Sequence, residues 1–68
     1  MKNTIRIGRA VLDITQEELA KRVNVSRQTI NTIEGGKYVP STVLALKIAK
    51  TFNKAVEEIF SLEESDWR

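Results

Sequence analysis

The chain has 68 residues, contains neither Cys nor His, and carries a formal net charge of +2. Without these residue types there are no disulfides, no thiolate metal ligands and no imidazole acid/base group, so we expect no enzyme, no cofactor and no metal site. No apolar run approaches the length of a membrane span and no signal-peptide pattern opens the chain, which predicts a cytoplasmic protein.

The charge is unevenly distributed along the chain. Residues 1–54 contain ten Lys or Arg and four acidic residues, a net charge of +6, whereas residues 55–68 contain one Arg and five acidic residues, a net charge of −4. This asymmetry fits a basic face for a polyanion with an acidic end kept away from it. An ordinary charged surface is the alternative.

Apolar residues recur at helical spacing almost throughout the chain, which predicts an all-α bundle of five short helices over residues 1–60. The first helix is predicted at 3–12, with Ile5 and Leu12 on one apolar stripe. Gly8 lies between them and costs about 1 kcal/mol relative to Ala. We therefore expect another backbone to approach the first helix at Gly8.

A capping box, Thr15 with Glu18, predicts that a second helix covers 16–23. Its apolar residues share one face: Leu19, Ala20 and Val23. Asn24 is expected to end this helix, because Asn tolerates the left-handed conformation found just past a helix C-terminus.

Ser26 is expected to cap a third helix at 27–34, which Gly35-Gly36 ends. A fourth helix is predicted at 41–52 and a short fifth at 56–60. The fourth helix turns five apolar residues inward: Leu44, Ala45, Ile48, Ala49 and Phe52.

The third helix has a polar side that is rich in hydrogen-bonding groups. Ile30 and Ile33 define its buried side. The opposite side carries Arg27, Gln28, Asn31 and Thr32. Guanidinium, amide and methyl groups of this kind suit base edges in the DNA major groove. The alternative is a merely solvated helix face.

The segment from Gln16 to Gly35 matches the helix-turn-helix pattern, with a tight connection between the two helices. The stretch "QEELAKRV…VSRQTINTIEGGKY.PS" resembles the XRE family of phage lambda and 434 repressor-like proteins, and in particular its short single-domain bacterial and archaeal regulators. The resemblance covers about residues 3–60. It implies a supporting helix at 16–23 and a recognition helix at 27–34 that enters the major groove.

The resemblance implies that Arg27, Gln28 and Thr32 contact bases and that Gln16 contacts a phosphate. The position and chemistry of other residues extend both sets. The expected base contacts are Arg27, Gln28, Asn31 and Thr32. The expected phosphate contacts are Gln16, Arg6, Ser26, Lys37 and Gly36. Helix N-termini offer unpaired amides to anions, which independently favours Gln16. Glycine would also let the backbone amides of Gly35-Gly36 approach a phosphate.

Glu34 falls near the buried side of the third helix, where a lone carboxylate is costly. In the family that this sequence resembles, an Arg of the first helix pairs with this Glu, and Arg9 occupies that position. We therefore expect a partly buried, structural Arg9–Glu34 ion pair. Glu34 is then not catalytic.

Several positions depart from the family pattern. Gly35 replaces a usual Asn, so a common phosphate contact is missing here. Asn24 and Asp13 take positions often held by Gly, and both residue types tolerate the left-handed conformation. Ala55 replaces a usual Ser or Thr cap, so the fifth helix should be weakly started.

Together these features predict a homodimeric, sequence-specific transcriptional regulator, a repressor, that binds a (pseudo)palindromic site in double-stranded DNA of a prokaryotic nucleoid. The dimer contact is placed in helix 56–60 and the acidic tail 61–68, including Trp67, because an acidic region should stay off DNA. Two alternatives remain open. The fold also serves antitoxins and adaptors that bind a toxin or another protein, and Trp67 could simply rest on the surface of a frayed end.

Overall fold

The computed structural model describes all residues 1–68 and confirms a mainly helical fold. In chain order the elements are β1 (Lys2–Asn3), α1 (Ile5–Leu12), α2 (Gln16–Val23), α3 (Arg27–Glu34), α4 (Thr42–Thr51), α5 (Val56–Ile59), β2 (Phe60–Ser61) and a 3-10 turn (Glu64–Trp67). The longest helix has ten residues, and none combines the length and apolar character that crossing a membrane requires.

The starts of α2 and α3 follow the predicted caps. Thr15 Oγ1 accepts a hydrogen bond from the Glu18 amide at 3.0 Å, and Glu18 Oε1 accepts one from the Thr15 amide at 3.0 Å. Ser26 Oγ accepts from the Thr29 amide at 3.1 Å. Each cap satisfies an amide that has no partner within its own helix, which fixes where the helix begins.

The ends of α1 and α2 use the left-handed conformation. Asp13 has φ 55° and Asn24 has φ 60°, so these two residues adopt the conformation that the sequence analysis assigned to them. Ala55 gives α5 no side-chain cap, and only the Glu58 carboxylate accepts from its amide, at 3.0 Å. The helix is four residues long.

The core contains thirteen buried apolar residues: Ile5, Ile14, Leu19, Ala20, Val23, Ile30, Ile33, Leu44, Ile48, Ala49, Phe52, Ile59 and Phe60. The inward faces predicted for α2 and α4 are therefore correct, with Ala45 partly buried at the edge. The apolar stripe of α1 is buried at Ile5 but not at Leu12, which is 39% exposed. The chain turns at Asp13, and Ile14 enters the core instead.

Gly8 approaches a side chain and not a backbone, which corrects the expectation. A Cβ added at Gly8 would lie 2.8 Å from two ring carbons of Phe52. The glycine therefore makes room for the aromatic ring at the end of α4, and α1 packs closely on it.

The first helix begins later than predicted and the fifth ends earlier. Lys2–Asn3 pairs in antiparallel fashion with Phe60–Ser61, with Asn3 opposite Phe60. Asn3 Oδ1 then accepts from the Ile5 amide at 3.2 Å at the start of α1. A helical period extended to both ends of the chain could not reveal this pairing, because the two strands are far apart in sequence.

The segment after β2 is folded against the first residue. The amino group of Met1 lies 2.9 Å from Glu63 Oε1 and 3.1 Å from Asp66 Oδ2. The Glu63 amide donates to Asp66 Oδ2 at 2.7 Å and is the main reason that the pKa of Asp66 is lowered. Hydrogen bonds to Glu63 and Asp66 raise the pKa of the Met1 amino group. Trp67 remains 77% exposed.

Candidate nucleic-acid interface

The position of α3 is fixed by its buried side and by the short connection from α2. Ile30 and Ile33 are fully buried. The Val25 amide donates to the Ala20 carbonyl at 3.0 Å, which closes the turn between the helices. An eight-residue helix with two large apolar anchors depends on such neighbours for its stability.

The far end of α3 is held by Arg9 and Glu34. Arg9 Nε and Nη2 donate to the two Glu34 carboxylate oxygens at 2.6 and 3.0 Å. The remaining Arg9 nitrogen, Nη1, donates to the Ile14 carbonyl at 3.2 Å. The hydrogen bond to Glu34 raises the pKa of Arg9 in spite of partial burial. This charged pair links α1 to α3 and leaves the Glu34 side chain only 2% exposed.

Asn3 also fixes the position of α3, and no role was predicted for it from the sequence. Its side-chain Nδ2 donates to the Ile33 carbonyl at 2.9 Å. The Ile33 carbonyl lies in the last turn of α3, where carbonyls lack partners within the helix. An Asn just before a helix is a recognisable capping signal, but the sequence does not show that its amide nitrogen also reaches α3.

Three of the expected base-contacting residues are exposed on α3: Arg27, Gln28 and Asn31. Thr32 is half-buried, and its hydroxyl contacts the carbonyls of Gln28 and Thr29, both at 3.0 Å. With the hydroxyl oriented toward the helix backbone, the methyl group is the part of Thr32 that remains for a base. This group suits the thymine methyl.

Gln16 connects the supporting helix to the polar face of α3. Gln16 Nε2 donates to Asn31 Oδ1 at 3.3 Å. A residue expected at a phosphate and a residue expected at a base therefore lie side by side. The carboxamides also set each other's orientation, because an amide that donates through its nitrogen has a fixed oxygen direction.

A concave surface lies in front of the N-terminus of α2. It is lined by Arg9, Asp13, Ile14, Thr15, Gln16, Glu17 and Arg27. The first amides of a helix point outward without partners and favour an anion. Arg27 adds a positive charge to this surface, while Asp13 and Glu17 oppose it. The surface therefore combines free helix amides and a positive charge, which favour an anion, with two carboxylates, which do not.

The other expected phosphate contacts lie in different surroundings. Arg6 is 82% exposed, and its Nε is 3.8 Å from Glu34 Oε1. Lys37 is exposed just beyond α3. The Ser26 hydroxyl is already occupied, since it accepts from the Thr29 amide and contacts Thr29 Oγ1 at 2.9 Å.

The expectation of free glycine amides after α3 needs correction. The Gly35 amide donates to the Asn31 carbonyl at 3.1 Å, and the Gly36 amide donates to the Ile33 carbonyl at 3.0 Å. Both donors are used to end the helix, so neither is free for a phosphate. Gly36 has φ 75° and open space around it, so here glycine permits the turn and leaves room for a ligand.

Comparison with known proteins identifies relatives over nearly the whole chain. Residues 5–59 match the helix-turn-helix family. An uncharacterized HTH-type transcriptional regulator of Methanocaldococcus jannaschii is 53% identical over 97% of this chain and 100% of the relative. A regulator of the same description from Archaeoglobus fulgidus is 52% identical, over 97% of this chain and 93% of the relative. One from Bacillus subtilis, YgzD, is 48% identical over 97% of this chain and 100% of the relative.

These matches confirm the resemblance drawn from residues 16–41. They also agree with the prediction that the chain is not an enzyme, because the family acts by binding DNA. The chain belongs to the XRE-type helix-turn-helix family of DNA-binding transcriptional regulators.

Proposed function

We propose that this protein is a sequence-specific repressor that binds a (pseudo)palindromic operator as a homodimer, with α3 in the major groove. Arg27, Gln28 and Asn31 would contact base edges, and Thr32 would present its methyl group. Gln16, Arg6 and Lys37 would contact phosphates, with Gly36 giving the backbone room to approach. Ser26 would contact a phosphate only by sharing a hydroxyl that already caps α3.

The observation that carries this proposal is the exposed polar face of α3. Three sets of contacts elsewhere on the helix hold it in place. Ile30 and Ile33 anchor the helix in the core, Arg9 binds Glu34, and Asn3 binds the Ile33 carbonyl. Contacts to base edges require side chains held in fixed positions. These contacts fix the position of α3, so the exposed side chains of the helix contribute little to the stability of the fold.

We place the dimer contact at the C-terminal end of the chain, which is acidic and also exposes large apolar side chains. Residues 1–60 would be the DNA-binding domain and residues 61–68 a dimerisation tail. Leu62 and Trp67 are large exposed apolar side chains in this tail, and its acidic residues would be repelled by phosphates. A two-fold axis would place two α3 helices about 34 Å apart on one side of the duplex, which matches half-sites one turn apart.

The experiment is binding-site selection from random duplexes with the purified protein. A palindromic consensus, with half-sites one helical turn apart, is the expected result. A single unrepeated half-site would contradict dimeric binding. No enrichment above random DNA would contradict sequence-specific recognition and would favour a protein-binding role for the same fold. Repression is then tested by placing the selected site across a promoter in a reporter strain, where added protein should lower transcription.

A further inference from the structure

A second basic surface lies away from α3. It is a groove between the C-terminal end of α2, the exposed side of α4 and the start of α5. Its lining residues, here called the α4 groove, are Arg22, Val43, Leu46, Lys47, Ala49, Lys50, Thr51, Lys54, Ala55 and Val56. None of these residues belongs to the interface described above, so the groove requires a separate explanation.

The α4 groove combines an apolar floor with cationic side chains that form no ion pair. Val43 and Leu46 are 63% and 53% exposed. Four cationic residues line the groove: Arg22, Lys47, Lys50 and Lys54. No carboxylate pairs with any of the four, and no acidic residue lines the groove. Arg22 and Lys50 also lie in the last turns of their helices, where a cation is favourable, but that does not account for the apolar floor.

The same chain contains a segment of complementary character. The tail, residues 61–68, exposes Leu62 and Trp67 and carries three acidic residues. With Arg68 included, residues 61–68 have a net charge of −2, opposite in sign to the four cations of the groove. No tail residue lines the groove of its own chain, and Met1 holds Glu63 and Asp66 elsewhere. A tail that enters this groove would therefore belong to another molecule.

We propose that the α4 groove receives the acidic tail of a second copy of this chain, with Trp67 against Leu46 and Glu64 facing Lys47 and Lys50. This inference rests on the dimer proposed above and names the two surfaces that form it. A two-fold axis produces the contact twice, since each protomer has one groove and one tail. Burial of Trp67 supplies apolar contact area, and the charged rim sets the direction of the tail.

The experiment is a charge exchange between groove and tail. One variant carries Lys47→Glu with Lys50→Glu, and the other carries Glu64→Lys. All three side chains are exposed, so both variants should fold, which circular dichroism checks. Each variant alone should dimerise at least about tenfold more weakly than the unmodified chain in sedimentation equilibrium, because like charges then face one another. Mixing the two variants should restore dimerisation, since both contacts regain opposite charges. Lys21→Glu with Glu17→Lys is the matched control on α2 and should leave the dimer unchanged.

The outcomes separate this inference from the proposed dimer. If the unmodified chain is monomeric at all concentrations, both the dimer and its tail contact are overturned. If it is a dimer that neither variant weakens, or if mixing restores nothing, only the tail-in-groove contact is overturned. If the Lys47→Glu/Lys50→Glu variant keeps its dimer but loses affinity for DNA, the groove contacts nucleic acid and the inference fails. A blue shift of Trp67 fluorescence with increasing concentration, absent in Leu46→Ser, supports the contact independently.

Discussion

Arg9 and Glu34 form a two-pronged ion pair between α1 and the last turn of α3, with nitrogen–oxygen distances of 2.6 and 3.0 Å. The Glu34 side chain is 2% exposed and that of Arg9 is 16% exposed. Removing one partner of such a pair leaves the other as an uncompensated buried charge, which costs more than the pair itself contributes.

Glu34→Ala should therefore lower the free energy of unfolding by about 3–5 kcal/mol. Chemical denaturation of the purified variant measures this change. Arg6→Ala is the matched control, because Arg6 approaches the same carboxylate from solvent at 3.8 Å and should contribute well under about 1 kcal/mol. Equal losses for both variants would show that burial of the pair is unimportant.

Arg27→Ala and Gln28→Ala should each weaken binding to the selected operator by about 1–3 kcal/mol and broaden the base preference at one position. The reason is that each side chain is exposed on the open face of α3 and has no structural role there. Fluorescence anisotropy with operator and random duplexes measures both effects. Lys21→Ala, on the outer side of α2, is the control. Equal losses on the two duplexes would assign Arg27 and Gln28 to the DNA backbone.

Substitutions of Thr32 distinguish a contact between its methyl group and DNA from a contact through its hydroxyl. Its hydroxyl already bonds to backbone carbonyls of α3, so Thr32→Val should keep operator affinity. Thr32→Ser removes the methyl group and should cost about 1 kcal/mol of binding. Titration of both variants against the selected site measures the difference. The reverse order of affinities would mean that the hydroxyl leaves the helix to reach DNA.

Gly8→Ala should destabilise the fold by up to about 2 kcal/mol. The gain in helix propensity is about 1 kcal/mol, whereas crowding a packed core costs about 1–3 kcal/mol, and the new Cβ would lie 2.8 Å from the Phe52 ring. Gly35→Ala is the control, because its Cβ would meet nothing closer than 3.5 Å. Adding Phe52→Leu should reduce the cost of Gly8→Ala in a double-mutant cycle. Additive effects would exclude contact between the two positions.

The tail should loosen in acid. The hydrogen bond from the Glu63 amide, followed by the Met1 amino group, lowers the pKa of Asp66. Because the pKa of Asp66 is lower in the folded state, its carboxylate stabilises the folded tail at pH values above the ordinary pKa of about 3.9. This stabilisation is lost as the pH falls through the lower pKa of the folded state. Trp67 fluorescence followed from pH 5 to pH 2 should report this transition. Asp66→Asn should show the loosened signal already at neutral pH, whereas Glu17→Gln, on α2, should not.

Local sequence signals predicted α2 and α3 to the residue. The Thr15–Glu18 box, the Ser26 cap and the left-handed Asn24 are short-range features that act within one turn of helix, so they can be recognised in the sequence. The resemblance to a known family supplied the Arg9–Glu34 pair, since the helical wheel shows only that Glu34 needs a partner.

The long-range contacts could not be predicted in the same way. The pairing of Asn3 with Phe60 joins the two ends of the domain, and no periodic pattern indicates it. The close approach of Gly8 to the Phe52 ring and the exposure of Leu12 also lie beyond a periodic pattern, because they depend on how α1 lies against Phe52 and on the turn at Asp13. Helical periodicity shows which side of a helix is apolar, but not which residues pack against that side.

Asn3 takes part in two connections at once. Its backbone pairs with Phe60, directly before the tail, and its side chain holds the Ile33 carbonyl at the end of α3. Asn3 thus connects α3, which we propose reads DNA, to the strand that precedes the proposed self-association segment. In such a dimer the distance between the two α3 helices would be nearly fixed. Adding or deleting one base pair at the centre of the operator should therefore lower the affinity for DNA.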